Sequence, residues 1–214
     1  MTEREFVQRL GKRAKRAAVA VDRPLAAKLW IYLDLLFRWN TKINLTSHSL
    51  HSPDAAIDRL LLEPLVAARQ FLATERTFID VGSGGGSPAL PMHLASGARL
   101  VMVESKARKS AFLREAVRQL ECLATVETAR FEELLTRPEF HESFDVLTIR
   151  AVRTESRTLA GLQAVVRPGG RMFLFRSVAG RPDLSGLMPP LRRAGTVPLL
   201  AGSELALLEK LNIP

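Results

Sequence analysis

The chain has 214 residues, 47% of them hydrophobic and 25% charged, which suits one α/β domain with a modest extension and leaves little room for two full domains. Its 31 Lys and Arg residues against 22 Asp and Glu residues give a net charge of +9, which attracts polyanions such as RNA, DNA or an acidic membrane surface. The single cysteine, Cys122, excludes an intrachain disulfide and a cysteine-based zinc site.

No uninterrupted apolar run follows the basic residues near the start of the chain, so we expect neither a signal peptide nor a membrane-spanning segment. The four histidines are scattered without ligand spacing, and we predict no metal site. The composition favours a cytoplasmic protein, which we expect to be a monomer.

The first part of the chain has the pattern of helices. Apolar residues recur at helical spacing over residues 25–36 and again over 55–71, and residues 40–53 between them form a polar turn. We therefore predict a helical extension over residues 1–75, followed by one larger domain over residues 76–214, the two forming a single compact unit.

The larger domain alternates short β-rich runs with helical runs, which predicts βαβ units in a parallel, doubly wound sheet. The predicted strands are Thr77–Val81, Arg99–Glu104, Ala124–Ala129, Phe144–Ile149 and Arg171–Arg176, with two weaker ones at Thr196–Ala201 and Leu205–Leu211. The predicted helices include Lys106–Cys122 and Thr154–Val166, and Pro168-Gly169-Gly170 is predicted to be a turn ahead of the fifth strand.

A glycine-rich loop follows the first predicted strand. Gly82, Gly84 and Gly86 allow tight turns and let a ligand lie against bare backbone, and a helix is predicted to open at Pro88. In an open parallel sheet, ligands bind at the carboxyl ends of the strands, where this loop lies.

An acidic residue ends the second predicted strand. Glu104 follows Gly82 at a distance that suits a carboxylate accepting hydrogen bonds from both hydroxyls of a ribose, as in dinucleotide-binding folds. The loop reads G-x-G-x-G rather than G-x-G-x-x-G, however, and Asp80 directly before it would repel a pyrophosphate while suiting the cationic methionyl end of S-adenosylmethionine. S-adenosylmethionine is therefore favoured over NAD as the cofactor.

The order of these motifs resembles the RsmG (GidB) family of small-subunit (16S) ribosomal RNA guanine-N7 methyltransferases. The resemblance spans residues 30–180. The matching strings are Trp39-Asn40, Ile43-Asn44-Leu45-Thr46, Phe78 to Pro91, Glu104-Ser105 with Lys109, Ala111, Phe112 and Leu113, Ala129-Arg130-Phe131-Glu132-Glu133, Phe144-Asp145-Val146, Arg150-Ala151 and Pro168-Gly169-Gly170. The fold that this implies is a seven-stranded, Rossmann-like class I methyltransferase dependent on S-adenosylmethionine.

The resemblance also implies roles for individual residues. The three loop glycines and Ser87 would approach the methionine part of the cofactor, Glu104 would hold the ribose, and Phe131 and Glu132 would border the adenine with their backbone. Arg130 and Arg150 would lie near the methyl group and the RNA. On the residues alone, both arginines are also explained as surface residues at strand ends.

Several positions depart from the family pattern, which carries Arg-His and Asp-Ser in the helix before the first strand. Leu60 and Pro64 stand where the family has the histidine and the serine, Ser87 replaces an apolar residue, and Ala89 replaces a glycine. Arg176 replaces the lysine expected after the fifth strand and keeps its charge.

Guanine N7 carries an unprotonated lone pair, so methyl transfer to it requires positioning rather than a general base. Arg130 and Arg150 are the predicted catalytic residues, since arginine forks can hold phosphates or the guanine edge. The predicted substrate is ribosomal RNA or the small ribosomal subunit. Three alternatives remain open: a small-molecule methyltransferase of the same fold, a non-catalytic RNA-binding assembly protein, and an NAD enzyme.

Overall fold

The computed structural model describes residues 1–46, 52–150, 155–179, 184, 186–200 and 202–213. The strands are β1 (Thr77–Val81), β2 (Arg99–Val103), β3 (Ala124–Glu127), β4 (Phe144–Arg150), β5 (Val166–Ser177), β6 (Leu191–Pro198) and β7 (Ser203–Lys210). They form one seven-stranded sheet in the order β3-β2-β1-β4-β5-β7-β6, in which β1 to β5 are parallel and β7 is antiparallel to both of its neighbours. This confirms the predicted seven-stranded, doubly wound sheet.

The helices are α1 (Glu3–Arg16), α2 (Arg23–Asn40), α3 (Pro53–Ile57), α4 (Glu63–Ala68), α5 (Ala89–Ser96), α6 (Ala107–Leu120), α7 (Phe131–Leu134) and α8 (Ser156–Leu162). A π-helical turn, Asp58–Leu62, joins α3 to α4, and 3₁₀ turns occupy Pro138–Phe140 and Gln163–Val165. None of the described helices is both long and apolar enough to cross a membrane.

Local sequence explains where the first two helices begin. Thr2 and Glu5 form a reciprocal capping box at the start of α1, which satisfies backbone N–H groups that have no helical partner. At α2, the Asp22 side chain accepts from the Leu25 N–H, and Pro24 occupies the first turn, where no N–H is needed.

Alternate strand residues face two hydrophobic cores, one on each side of the sheet. Phe78 points to the core that contains helices α1 to α6, whereas Ile79 points to the core that contains α7 and α8. The helices of the first 75 residues therefore pack on a single face, and that packing brings α2 and the π-helical turn close to the carboxyl edge of β1.

The predicted turn at Pro168-Gly169-Gly170 was wrong, because these residues lie inside β5. The pairing of β5 with β4 is irregular here, shifting between Phe144 and Val146, so the strand begins earlier than predicted and accommodates the three residues as an irregularity. Gly169 has φ +75°, and a Cβ on Gly170 would lie 2.8 Å from the Asp145 carbonyl oxygen. The glycines thus serve a close backbone approach within the strand.

Most other boundaries differ from prediction by a few residues. The strand predicted to end at Ala129 ends at Glu127, and the helix predicted to end at Cys122 ends at Leu120. Thr154 and Ala201, where a predicted helix starts and a predicted strand ends, lie outside the described residues. The described parts of those elements are α8 with its 3₁₀ turn, and β6.

Candidate functional site

The site lies where the strand order reverses. The chain proceeds from β1 outward to β3 and then returns to β4 on the other side of β1, so the loops that follow β1 and β4 diverge and leave a crevice at their carboxyl ends. Two cavities open along this edge, and they share Gly82 and Glu104 in their linings.

The glycine spacing has a conformational cause. Gly82, Gly84 and Gly86 have φ of 76°, 51° and 83°, the left-handed region that residues with a Cβ rarely adopt. Gly85 is favoured by packing instead, since a Cβ there would lie 3.1 Å from Leu36 Cδ1 and 3.2 Å from the Leu45 carbonyl oxygen. The Tyr32 hydroxyl donates to the Gly85 carbonyl at 2.7 Å, so α2 holds the tip of the loop.

The first cavity has a volume of about 340 Å³. The glycine loop forms one wall, and residues 44–46 form another because the Asn40 side-chain oxygen accepts from the backbone N–H of Leu45 at 2.9 Å and of Thr46 at 3.3 Å. The lining residues outside the loop are Leu36, Asn44, Leu45, Thr46, Leu60, Ser87, Glu104, Lys106, Lys109 and Arg150. Asn40 thus ends α2 and fixes the turn, while Asn44 lines the cavity.

The second cavity, of about 240 Å³, continues the site toward β3. Its lining includes Phe131 and Glu132, the two residues predicted to border an adenine, together with Arg130. Arg130 is exposed and does not line the first cavity, whereas Arg150 lines only the first. The two predicted catalytic arginines are therefore placed at different cavities.

Glu104 stands at the junction of the two cavities. Its side chain is buried, and its two carboxylate oxygens accept hydrogen bonds from the Gly84 N–H at 2.9 Å and the Lys106 N–H at 2.8 Å. These bonds fix the carboxylate between the loop and α6, and each oxygen keeps acceptor capacity for a ligand hydroxyl.

Asp80 is placed beneath the loop rather than in either lining. It pairs with Thr148 in the β1–β4 register, and the Thr148 hydroxyl donates to its carboxylate at 2.5 Å. Burial raises the pKa of Asp80 to about 6, a shift that the Thr148 hydrogen bond opposes. Its negative charge therefore acts on the site from below and not by direct contact with the cavity.

Arg150 is buried and held at both terminal nitrogens. Nη2 donates to Glu63 at 2.7 Å, and Nη1 donates to the Arg59 carbonyl at 2.8 Å and to the Ser87 hydroxyl at 3.0 Å. The guanidinium carbon lies 4.5 Å from the centre of the Phe175 ring. Burial lowers the pKa of Arg150 to about 10, while the charge of Glu63 opposes that shift.

Sequence reasoning did not identify Glu63 or Tyr32 as site residues. Glu63 is fully buried and forms ion pairs with both Arg59 and Arg150, and burial raises its pKa. An acidic residue in an otherwise apolar helical run, followed by a proline, was the available signal for Glu63. No sequence signal distinguishes Tyr32 from the apolar residues of its helix face.

The residues present fit S-adenosylmethionine. A ligand with a polar charged end, a central ribose and a planar base needs an elongated site with a carboxylate near its middle, which is how the two cavities meet at Glu104. Gly86 lines neither cavity, and a Cβ there would lie 2.7 Å from Leu90 Cδ1, so the third glycine lets the loop pack closely against the core beneath it.

Two solved structures with a similar fold are named as methyltransferases. A putative O-methyltransferase from Klebsiella pneumoniae matches with a TM-score of 0.65 at 16% identity, covering 99% of each chain. An O-methyltransferase from Bacillus cereus in complex with SAH matches with a TM-score of 0.63 at 16% identity, covering 94% of this chain and 96% of the other. The fold is therefore that of class I S-adenosylmethionine-dependent methyltransferases, as predicted.

Relatives closer in sequence carry the name ribosomal RNA small subunit methyltransferase G. The protein from Syntrophotalea carbinolica is 31% identical over 209 residues, covering 94% of this chain and 95% of the relative. Those from Stenotrophomonas maltophilia and Xanthomonas campestris are each 36% identical, covering 80% and 84% of this chain and 78% and 82% of the relatives. The GidB family model, described as rRNA small subunit methyltransferase G, matches residues 25–185, and the chain belongs to this family.

Proposed function

We propose that the protein transfers a methyl group from S-adenosylmethionine to guanine N7 in small-subunit ribosomal RNA. The observation that carries the proposal is the junction of the two cavities at Glu104, within a chain that belongs to the GidB family. It is the arrangement that a methyl donor with a central ribose requires.

Each cavity is assigned one part of the cofactor. The backbone of Gly82 and Gly84 faces the methionyl part in the first cavity, beside Ser87 and above the negative charge of Asp80, whereas Gly86 is buried behind the loop and lines neither cavity. Glu104 accepts the ribose hydroxyls. The backbone of Phe131 and Glu132 borders the adenine in the second cavity. When bound, S-adenosylmethionine supplies an electrophilic methyl group on a sulfonium sulfur.

The reaction needs alignment of the guanine with the methyl group, because N7 already presents a lone pair. Arg150, fixed at the first cavity, orients the guanine edge or a phosphate next to it, and Arg130 binds RNA at the rim of the second cavity. Cys122 lies in neither cavity, and burial raises the pKa of its thiol, which disfavours a mechanism through a cysteine thiolate.

A basic groove beside the first cavity suits the RNA strand. The groove, of about 610 Å³, runs between α2 and α6 beside Trp39, and its charged lining residues are Arg38, Lys42, Arg108 and Glu115. Arg38 is paired with Asp34, which leaves Lys42 and Arg108 as the main candidates for phosphate binding. Lys106 and Lys109 continue this charge into the first cavity. Clustered cations bind successive phosphates without reading the bases, which suits ribosomal RNA as the substrate. The protein acts in the cytoplasm as a monomer.

The test is incubation of the purified protein with radiolabelled methyl donor and small ribosomal subunits that lack their guanine-N7 methylation. The RNA is digested and its nucleosides are identified. We expect label in 7-methylguanosine, lost on Arg150→Ala. Label in another nucleoside would keep the enzyme class and refute the target, whereas binding of S-adenosylmethionine without any label would point to a different substrate. If the protein neither labels the RNA nor binds S-adenosylmethionine, the enzymatic function itself is refuted.

A further inference from the structure

We propose that Pro64 is a positioning residue for Arg150, acting through the hydroxyl of Ser87; this rests on the proposed role of Arg150 in the first cavity. Pro64 has no backbone N–H, and Ser87 occupies the carbonyl that such an N–H would bind. The hydroxyl so anchored is the acceptor that holds one terminal nitrogen of Arg150.

The backbone of the fourth helix sets up this arrangement. The π-helical turn Asp58–Leu62 ends where the Glu63 N–H donates to the Asp58 carbonyl, five residues back. The chain then resumes α-helical geometry, in which position 64 would donate to Leu60, four residues back. A proline at 64 cannot make that bond.

Ser87 supplies the missing donor from the glycine loop. Its hydroxyl donates to the Leu60 carbonyl at 2.9 Å and accepts from Nη1 of Arg150 at 3.0 Å. A serine hydroxyl has one hydrogen to donate, so its commitment to Leu60 turns a lone pair toward the arginine. The bonds therefore run in one direction, from Arg150 to Ser87 to Leu60.

The second anchor of Arg150 comes from the residue beside the proline. Glu63 accepts from Nη2 at 2.7 Å and is itself fully buried. Arg150 is thus held by Glu63 on one terminal nitrogen and by Ser87, with the Arg59 carbonyl, on the other. Two contacts on different nitrogens fix the plane of the guanidinium, which one ion pair alone would leave free to rotate.

Two residues that are far apart in sequence meet in this chain of bonds. The helix lacks a backbone donor at Pro64, and Ser87 of the glycine loop carries a hydroxyl that replaces it. The two residues are therefore coupled through the Leu60 carbonyl and act together on Arg150.

The test compares Pro64→Ala, Ser87→Ala and the double variant. Pro64→Ala restores a backbone N–H directed at the Leu60 carbonyl. The two lone pairs of that oxygen would then be shared between this N–H and Ser87, which weakens the bond from Ser87 and loosens its hold on Arg150. We expect about a 10-fold fall in kcat with less than a 3-fold change in KM for S-adenosylmethionine. Ser87→Ala removes one of the two acceptors of Nη1 of Arg150 and is expected to lower kcat similarly. Pro24→Ala is the matched control, because that proline lies in the first turn of α2 and its missing N–H leaves no carbonyl unbound.

The double variant separates positioning from simple damage to the fold. Ser87→Ala leaves the Leu60 carbonyl without its donor and should lower Tm, and adding Pro64→Ala should restore Tm because the new N–H takes that carbonyl. The kcat of the double variant should stay at the level of the single variants, since all three weaken or remove the same hydrogen bond to Arg150. A wild-type kcat for Pro64→Ala, or multiplicative losses in the double variant, would overturn the proposal.

A readout that does not require methylation keeps this proposal distinct from the proposed function. In ¹⁵N NMR of the wild type, the terminal nitrogens of a doubly anchored guanidinium rotate slowly and give resolved signals, assigned to Arg150 by their loss in Arg150→Lys. In Pro64→Ala we expect the Nη1 signal to shift and broaden, because that nitrogen keeps the Arg59 carbonyl but loses Ser87, and we expect both signals to be unchanged in Pro24→Ala. Unchanged signals in Pro64→Ala would overturn the anchoring, whatever the substrate. If the signals change in Pro64→Ala but the wild-type protein does not methylate ribosomal RNA, the anchoring is supported and the proposed function is refuted.

Discussion

At the scale of single residues, Glu104 connects the two cavities through one carboxylate. Glu104→Gln keeps the shape but places an NH₂ group opposite one of the two N–H donors, Gly84 or Lys106. It also removes the charge that strengthens hydrogen bonds from ribose hydroxyls. We expect the Kd for S-adenosylmethionine, measured by calorimetry, to rise about 10- to 100-fold, which corresponds to ~1.4–2.7 kcal/mol.

Glu132→Gln is the control for this prediction. The residue lines the second cavity with an exposed side chain, and its predicted contact with adenine is through the backbone. The affinity of this variant for S-adenosylmethionine should change less than 3-fold. Equal losses in the two variants would show that the general negative charge of the site, and not the fixed carboxylate, determines cofactor affinity.

Sequence spacing was enough to predict that Glu104 lies beside Gly82 and Gly84, because the order of strand, loop and strand fixes their relative positions. It did not predict that Gly86 turns away from both cavities. The direction of the Asp80 side chain was not accessible in that way. It depends on Thr148, which lies far away in sequence and becomes a neighbour only through the β1–β4 register. The same holds for Glu63, whose partner Arg150 is 87 residues away.

Asp80 predicts a specific pH dependence of stability. Burial raises its pKa from 3.8 to about 6, so between these values the folded state binds more protons than the unfolded state. The contribution of this group to stability is therefore fully present below its unfolded pKa of 3.8 and is lost as the pH rises through about 6. The loss amounts to at most about 3 kcal/mol.

Asp80→Asn should remove that contribution, since an amide does not ionise and its oxygen can still accept from the Thr148 hydroxyl. Urea unfolding of both proteins at about pH 4.5 and about pH 7.5, on either side of the raised pKa, measures the difference. The free energy of unfolding of the variant minus that of the wild type should be larger at the higher pH than at the lower pH. A difference between the two proteins that is independent of pH would mean that Asp80 titrates normally.

At the scale of elements, the first strand was predicted with the observed bounds because an apolar run stops abruptly at the glycine loop. The fifth strand was not, because Pro168-Gly169-Gly170 has the composition of a turn. Only pairing with β4 shows that the backbone continues as a strand through these residues. Turn propensity is local, whereas a strand irregularity is decided by a neighbour that the local sequence does not contain.

Two glycines with positive φ, one in the glycine loop and one at the end of α5, allow the cost of close packing to be separated from the cost of backbone strain. Gly86 and Gly97 both have positive φ, 83° and 69°, but a Cβ on Gly86 would lie 2.7 Å from Leu90 Cδ1, while a Cβ on Gly97 would have no atom within 4 Å. Gly97→Ala should therefore cost about 1 kcal/mol of strain. Gly86→Ala should cost about 1–3 kcal/mol more and weaken binding of S-adenosylmethionine at least about 10-fold.

Thermal unfolding and calorimetric binding of the two variants check this prediction. The cofactor affinity of Gly97→Ala should match that of the wild type, because Gly97 ends α5 away from both cavities. Equal destabilisation of the two variants would mean that Leu90 moves aside easily and that only the φ angle makes glycine necessary at position 86.

At the scale of the whole molecule, the helical extension is part of the site. Tyr32 holds the glycine loop, Asn40 shapes a wall of the first cavity, and Glu63 anchors Arg150. The family resemblance anticipated the motif around Asn40, but periodicity alone indicated only amphipathic helices. What they pack against is settled by the shared core on one face of the sheet.

Part of the net charge of +9 lies in the groove between α2 and α6, where Lys42 and Arg108 are exposed. If these residues bind phosphates, the double reversal Lys42→Glu/Arg108→Glu should weaken binding of small subunits at least about 10-fold. The slope of log K against log salt concentration should become shallower by about one for each phosphate that the variant no longer binds. Affinity for S-adenosylmethionine should not change, because neither residue lines the two cofactor cavities.

The matched control is Arg192→Glu/Arg193→Glu, which changes the net charge by the same amount on β6, at the opposite edge of the sheet from β3. Long-range attraction depends on total charge and would be weakened equally by either pair, whereas phosphate binding by individual side chains depends on position. A loss of affinity and of salt slope confined to the groove variant therefore identifies the groove as the RNA-binding face. Equal losses in both variants would leave the charge of the protein as a general attraction and place the RNA on another surface.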